Sequence, residues 1–547
     1  FGVAPGQAWY VPANGKLGLH KVQEELKRFF AHTKCSFYGH NIKYDWHILE
    51  NLGIELKPIC FDTILASYLL QPHNHRHNLD ELALEIFNKV KIPYESLTGK
   101  GKQKKTLMEV SVEAVKDYCC EDVDCTCQLK VHFEKELHAQ KLDRLLHEIE
   151  LPLLSILARM ERKGIYVDSN ELHGLNLSLN RKLGNLKATI FQEAGQEFNL
   201  NSPKQLSEVL YQKLELKPPR RQKSEFSTSA DVLEELLPQH PVIAHILHYR
   251  TLEKLRSTYT ESLPLQIHPV TSRIHCTFNQ SMAATGRLSC QDPNLQNIPI
   301  RTSEGLAIRA CFKPENPSWN FVGADYSQIE LRLLAHFSQD PELLKAFRNG
   351  DDIHTHTATL LFNVPKSEVT PEMRGRAKTV NFGVLYGQGS FALSTQLGIS
   401  MHEASQFIKT YFERYPRVSA YFEQCKEEVR KTGCSKTLTG RRRPIPEIAN
   451  KNPAIRAAAE RLAVNTPLQG TAADLIKMAM IHIDREIKTK KLKGSMILQI
   501  HDELIFEVPE EETAIFKQLV KEKMETVFPL QVPIEVHIAV GKNWAEC

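Results

Sequence analysis

The chain has 547 residues, 42% hydrophobic and 24% charged, with 69 basic and 65 acidic residues for a net charge of +4. That length predicts about three or four domains with ample core. Near-balanced charge excludes a wholly basic coat, so any phosphate-binding surface must be local. No run of 18 apolar residues occurs, which excludes a membrane-crossing helix by sequence. No signal-peptide pattern opens the chain. It begins Phe1-Gly2-Val3-Ala4 without Met, and Ala8–Pro12 reads as a strand already under way, so a fragment is expected.

Residues 1–140 read as alternating strands and helices, an α/β pattern. Ser36–Tyr38 is a strand candidate, and Asn41–Asn51 a helix. Asp62–Leu70 and Leu79–Phe87 carry helical apolar spacing. Gly99–Lys105 is a basic, glycine-bearing loop. Residues 145–260 read as mainly helical. Leu151, Leu154, Ile156, Leu157 and Met160 form an apolar face that stops at Gly164. Lys217–Lys223 is a basic, proline-bearing loop, either a solvated turn or a phosphate contact. Long helices with such a tip suit an arm lying over a duplex. Asn320–Ala324 is a strand leading into a helix at Gln328–Phe337, and residues 341–455 are helix-rich. Met496, Leu498 and Ile500 alternate, as do Leu504, Phe506 and Val508. These two strands meet at His501-Asp502-Glu503 as a hairpin.

The twelve cysteines make no short disulfide framework. Cys119, Cys120, Cys125 and Cys127 lack the C-x-x-C spacing that suits zinc and read as helix cysteines in a reducing compartment. His73, His75 and His77 alternate; a polar loop is the simpler reading than a metal clip.

Four constellations carry chemistry. Asp325, in Asp325-Tyr-Ser-Gln328-Ile-Glu330-Leu-Arg332, ends an apolar strand just before a helix. It is either a helix cap or a rigidly held metal ligand. The tip His501-Asp502-Glu503 is either a solvated acidic turn or a second set of ligands; tight turns more often use Asn-Gly or Asp-Gly. Two carboxylates on adjacent strand ends could bridge two Mg²⁺ ions about 3.5–4 Å apart. Arg374, Lys378, Phe382 and Tyr386 recur every four residues, hence on one helical face. Two cations followed by two aromatics fit the phosphates, sugar and base of a nucleoside triphosphate; a solvated edge is the alternative. Arg461, Asn465 and Gln469 are also spaced by four, with Arg287 upstream. Such donors can reach minor-groove acceptors that all base pairs share, or they simply bridge polar helix surfaces. Lys254, Ser257, Thr258, Tyr259 and Thr260 form a polar cluster suited to phosphate contacts.

In this order the segments resemble the A family of DNA polymerases, of the bacterial DNA polymerase I type. Asp325–Arg332 looks like the family's first palm motif. Arg374–Gly387 matches its fingers motif R-x-x-x-K-x-x-x-F-G-x-x-Y-G, and residues 501–503 match its H-D-E motif. Asp292–Pro299, Asp352-Ile-His354 and Gln469–Asp474 match as well. The resemblance implies an α/β multi-domain fold, an RNase H-like exonuclease-type domain (1–140) followed by a right-hand polymerase. Its parts would be a mainly thumb segment (145–265), palm (266–340), fingers (341–455) and palm again (456–547).

It further implies template-directed DNA synthesis from dNTPs on primer-template DNA, in replication and repair. Two Mg²⁺ ions, or Mn²⁺, would be held by Asp325 and Asp502, with Glu503 auxiliary. Arg374, Lys378 and His354 would hold the triphosphate, and Lys378 would give a proton to pyrophosphate. Phe382, Tyr386 and Gln328 would border the incoming nucleotide. Glu330 would exclude a ribose 2′-hydroxyl. Arg287, Arg461, Asn465, Gln469, His501 and Lys254 would contact DNA. The helix carrying Arg374 would close on a correct pair. A monomer in the bacterial cytoplasm, on the nucleoid, is expected, with an organelle as the alternative.

Asn41-Ile-Lys-Tyr-Asp45 and Tyr118-Cys-Cys-Glu-Asp122 resemble the second and third motifs of the family's 3′–5′ exonuclease. The first, D-x-E, is absent, and a metal-assisted cut needs a full carboxylate set. Little or no proofreading is therefore expected of this chain. A nuclease, a non-catalytic nucleic-acid scaffold and an RNA polymerase of the same family are the competing readings. The missing D-x-E, the intact Asp325, Lys378 and Asp502, and the pair Glu330 and Phe382 argue against them in turn.

Overall fold

The computed structural model describes every residue except 14, 32, 33, 75, 102, 103 and 219–225. Parts of both basic loops, and His75, lie outside the described residues.

The first region opens with a small hairpin, Gly2–Ala4 against Gln7–Ala8. The strand expected to run to Pro12 ends at Ala8, where its three-residue partner gives out. A parallel pair follows, β1 (Phe37–Gly39) and β2 (Ile59–Asp62), connected by helix α1 (Ile42–Asn51). Asp62, 1% exposed, ties the two helices that start here. One carboxylate oxygen accepts from the Ile42 amide at 2.7 Å, the other from the Ile64 and Leu65 amides at 2.8 and 3.1 Å. This satisfies amides that a helix start leaves orphaned. The long helix α2 (Val112–Gln140), capped by Ser111, packs against the second of them, Thr63–Leu70.

Helix α3 (Leu151–Lys163) stops at Gly164 as expected. Gly164 has φ +62°, and a Cβ there would sit 2.7 Å from the Ile274 carbonyl, so no other residue fits. Helices α4 (Ser169–Ala194) and α5 (Val242–Leu255) form an arm. It has its own core, with Leu179, Leu183, Val232, Ile243, Ile246 and Leu252 buried together.

The centre of the molecule is an antiparallel sheet in the order β4-β5-β3-β6, where β3 is Trp319–Tyr326, β4 Ser495–Ile500, β5 Glu503–Pro509 and β6 Val536–Gly541. The alternating pattern in β4 and β5 reads as a half-buried sheet, yet Ile497, Leu498, Gln499, Leu504, Ile505 and Phe506 are all buried. Consecutive buried residues mean that both faces are covered. Helix α6 (Ile329–Ser338) leaves β3 through Gln328, and α7 (Ile353–Phe362) packs on α8 (Pro371–Leu385).

Helix α9 (Pro453–Thr489) runs for 37 residues with Pro467 inside it. That proline removes the amide that would bond the Ala463 carbonyl; the Ser435 hydroxyl donates to that carbonyl instead, at 3.2 Å. Helix α10 (Thr513–Glu525) packs on β3 and β6. Among the described residues no helix is long and apolar enough to cross a membrane.

A buried ionic knot, unforeseen in the sequence, joins these parts. Glu150 pairs with Arg441 and, at 2.8 Å, with Lys477; Arg441 also pairs with Asp474 at 2.7 Å. All four side chains are no more than 4% exposed. Gln280 donates to the second Glu150 oxygen at 2.6 Å, and Thr437 to Asp474 at 2.9 Å. Burial alone would raise the Glu150 pKa, but Lys477 and Arg441 hold it down at about 2.

Candidate active site

The site grows out of the end of β3. Ladder pairing sets Asp325 opposite Glu503 on one side and His537 on the other. The hairpin turn is only His501-Asp502, because Glu503 already pairs with Ile500 in the ladder. A two-residue turn asks for positive φ at its first position, and His501 supplies it at +52°. The Tyr326 amide donates to the Asp502 carbonyl at 3.2 Å, which pins the turn beside β3.

Asp325 is not a cap. Gln328 holds the position before α6, in the left-handed region, and among the described residues no backbone or side-chain donor bonds the Asp325 carboxylate. The Asp502 and Glu503 carboxylates accept no hydrogen bond among the described residues either. Asp325 faces solvent from a crowded strand end. Burial, then the charge of Asp502, pushes its pKa up to about 6. Burial raises Asp502 too, opposed by Arg287 and His501. Burial lifts Glu503 to about 7, opposed by Arg309 and reinforced by Asp325. Crowded carboxylates with raised pKa values and no hydrogen-bonded cation favour an incoming positive charge.

Among the described residues no three His, Cys, Asp or Glu side chains gather into a metal cage. The site offers two neighbouring carboxylates, and a hard cation there would complete its shell with water.

Next to the carboxylates stands a second unit. Glu330, 5% exposed, accepts from Arg287 at 2.6 Å and from the Tyr386 hydroxyl at 2.8 Å, one on each oxygen. Phe382 and Tyr386 stack with centroids 6.2 Å apart at 22°. The face of α8 is as expected: Arg374 and Lys378 exposed, the two aromatics partly buried below them. Lys378 makes no hydrogen bond or ion pair among the described residues. Arg374 is engaged: Nε and Nη2 grip the two oxygens of Asp352 at 3.1 and 2.7 Å. Burial would raise Asp352, but the Arg374 contact and the Thr355 amide hold it far below the usual carboxylate range.

His354 is 2% exposed, lies 3.0 Å from the Asn381 amide nitrogen and abuts Phe382. Burial lowers its pKa to about 4. At neutral pH its ring is therefore uncharged.

Arg461 and Asn465 on α9 reach this unit. The Asn465 amide donates to the Tyr386 carbonyl at 3.4 Å. A Cβ at Gly387, where φ is +65°, would lie 2.9 Å from Arg461 Cγ, so glycine lets α9 meet the end of α8. Gln469 follows on the same helix and Gln328 borders Glu330; both are partly buried. His501 stands in the turn, its pKa lowered by burial and by Arg287.

Lys254 is exposed on α5, with no described contact to the palm cluster. The polar cluster around it is not a phosphate platform as a whole. Tyr259 and Thr260 are 4% and 2% exposed, and Thr260 bonds Asn176 at 2.8 Å. The exonuclease-type residues stand apart: Asp45 on α1, Tyr118 and Asp122 on α2. Sequence reading matched Asp352 only as part of a linking motif and passed over its grip on Arg374.

A polymerase-type palm, with carboxylates at strand ends facing a cation-and-aromatic helix, is the class that this fold and site define. Residues 169–546 match DNA polymerase family A, and residues 4–138 match a 3′-5′ exonuclease family. The chain belongs to DNA polymerase family A, with an exonuclease-type domain ahead of the polymerase domain.

It is similar to DNA polymerase I of Borreliella burgdorferi, at 42% identity over 99% of this chain and 59% of that protein. It resembles DNA polymerase I of Geobacillus stearothermophilus at 44% over 90% and 56%, and that of Pseudomonas aeruginosa at 42% over 100% and 61%. The chain thus spans under two thirds of the length of these curated relatives. The POL domain of Pol1 from M. smegmatis, solved in complex with DNA primer-template and dNTP, superposes with a TM-score of 0.88 at 37% identity. That likeness covers 96% of this chain and 89% of the other. Family A DNA polymerases depend on divalent metal.

Proposed function

We propose that this chain is a DNA-directed DNA polymerase that adds dNMP from dNTP to a primer 3′-hydroxyl along a DNA template. One observation carries this reading: Asp325 and Asp502, crowded and without internal hydrogen bonds, stand by the helix that presents Arg374, Lys378, Phe382 and Tyr386. Residues 145–265 act mainly as thumb, 266–340 and 456–547 as palm, and 341–455 as fingers. Lys254 would then meet DNA from the thumb.

Asp325 and Asp502 would hold two Mg²⁺ ions, or Mn²⁺, with Glu503 in support. When bound, those ions would make the primer hydroxyl a better nucleophile and neutralise the pyrophosphate charge. The protein does the rest. Lys378, exposed and free of ion pairs, meets the triphosphate and donates a proton to the leaving pyrophosphate. Arg374 exchanges Asp352 for a phosphate. His354 donates a neutral N–H. Tyr386, Phe382 and Gln328 border the sugar and base. Glu330 is a fixed wall, because Arg287 and Tyr386 hold both its oxygens; a 2′-hydroxyl would have to displace that arrangement. Arg461, Asn465, Gln469, Arg287 and His501 line the path of the duplex. The bacterial DNA polymerase I relatives support a role in replication and repair, and on this reading the protein works as a cytoplasmic monomer on the nucleoid.

Primer extension tests this. dNTPs should be used and rNTPs rejected, and Asp502→Ala should lower the extension rate by about two to three orders of magnitude or more while duplex binding stays near the parent's. Extension by Asp502→Ala at the parental rate would sink the assignment.

A further inference from the structure

The exonuclease-type domain contains a cation of its own. Lys91 is buried, its side chain 2% exposed. Its ammonium lies 2.5 Å from Asp122 Oδ1 and 2.7 Å from Asp80 Oδ1. It also stands 5.8 Å from the centre of the Tyr118 ring, so it sits among the residues of the third exonuclease-like motif. Asp80 opens the helix Leu79–Phe87, Asp122 comes from α2, and Lys91 from the segment after that helix. Three separate pieces of chain therefore converge on one ammonium.

His40, just ahead of Asn41 in the second motif, is near enough for Lys91 to help lower its pKa, after burial. Asp62 is consumed by capping two helices through both oxygens, while Asp45 has no ion pair among the described residues and burial, then Asp62, pushes its pKa up to about 6. Burial raises the pKa of Asp122 as it does in the palm, but the palm differs in its partners: Asp122 has the Lys91 ammonium at 2.5 Å, whereas Asp325 and Asp502 have no ion pair among the described residues. A divalent ion at Asp122 would have to approach a fixed ammonium and displace it from two carboxylates. At Asp122 the residues present do not fit a metal.

We propose that Lys91 is a built-in counter-ion which excludes divalent metal from Asp122, so that this domain keeps its exonuclease fold without metal-dependent cleavage. The inference rests on the likeness of residues 4–138 to a 3′-5′ exonuclease and not on the polymerase reading. It holds whatever precedes residue 1, because it depends on the occupant of the Asp122 position.

The test uses the whole chain with Asp325→Asn and Asp502→Asn, so that the palm does not bind metal. Mn²⁺ alone is titrated and followed by water-proton relaxation. Adding Asp122→Asn should leave the titration unchanged. Lys91→Thr should raise Mn²⁺ affinity by about tenfold or more, and Asp122→Asn should remove that gain. Lys91→Arg, which keeps the cation, should gain nothing. Mn²⁺ binding in the Lys91 parent that is lost with Asp122→Asn would overturn the proposal, as would a Lys91→Thr chain that binds no better. Primer extension by Lys91→Thr with an intact palm confirms that the variant is folded. The Asp122→Asn comparison in the parent stands even if it is not.

Discussion

The palm and the interior of the molecule both crowd carboxylates together, and they neutralise them in opposite ways. Glu150 and Asp474 are met by Arg441 and Lys477, cations from the same chain. Asp325 is met by the like charge of Asp502, and Asp502 by the charges of Arg287 and His501, with no ion pair or hydrogen bond to either carboxylate among the described residues. Burial opposes ionisation in both places. In the knot the pairs win and the Glu150 pKa falls; in the palm nothing outweighs burial and the pKa values rise. A carboxylate paired internally contributes to structure. One left crowded and unmatched stays available to a charge from outside.

Substitution should break this comparison in opposite directions. Asp502→Ala should lower the extension rate by about two to three orders of magnitude or more, with a melting temperature in chelator no lower than the parent's. Lys477→Met should do the reverse. Leaving Glu150 with one cation fewer in a dry site should cost about 3–5 kcal/mol of stability, read by denaturant unfolding. The active site of the folded fraction should still extend primers. If Lys477→Met unfolds at the parental midpoint, the knot is not what locks α9 to α3.

The same comparison sets the pH dependence. Asp325 and Glu503 have folded-state pKa values of about 6 and 7, above their usual 3.8 and 4.5. Groups raised in this way stabilise the fold at low pH, and that contribution is lost as pH rises through the folded values. In chelator the melting temperature should therefore fall between about pH 4 and pH 7. Added Mg²⁺ should restore it at the upper end, and Asp325→Asn should flatten the slope. A metal-free melting temperature that rises across this window would contradict the crowding of the palm.

Much of this was legible along the chain, for a physical reason. Helix α8 shows its function in local spacing, since a four-residue repeat must share a face. The hairpin of β4 and β5 shows itself by its apolar runs. What stayed hidden depends on contacts remote in sequence. Glu150 meets Lys477 across 327 positions, and no local pattern marks either. Lys91 reads as one more lysine in a polar stretch until Asp80 and Asp122 close around it. Asp325 was ambiguous between cap and ligand because both roles place a carboxylate before a helix. Only Gln328 in the left-handed region, and the silence of the Asp325 oxygens, separates them. Tyr259 and Thr260 misled because their helix turns them inward, which composition does not show.

The smallest effect concerns a pair that lies between the two regimes. Arg374 and Asp352 form a bidentate ion pair, but at 45% and 37% exposure water screens it. Such pairs are worth about 0.2–1 kcal/mol. If Arg374 must leave Asp352 to meet a phosphate, each dNTP bears that cost. Asp352→Asn should then lower KM for dNTP by about 1.5- to 5-fold with kcat nearly unchanged, and the difference should shrink as salt screens the parental pair. A rise in KM would mean that Asp352 instead aims Arg374 at the triphosphate. The pair would then belong with the internally matched carboxylates of the knot rather than with the palm.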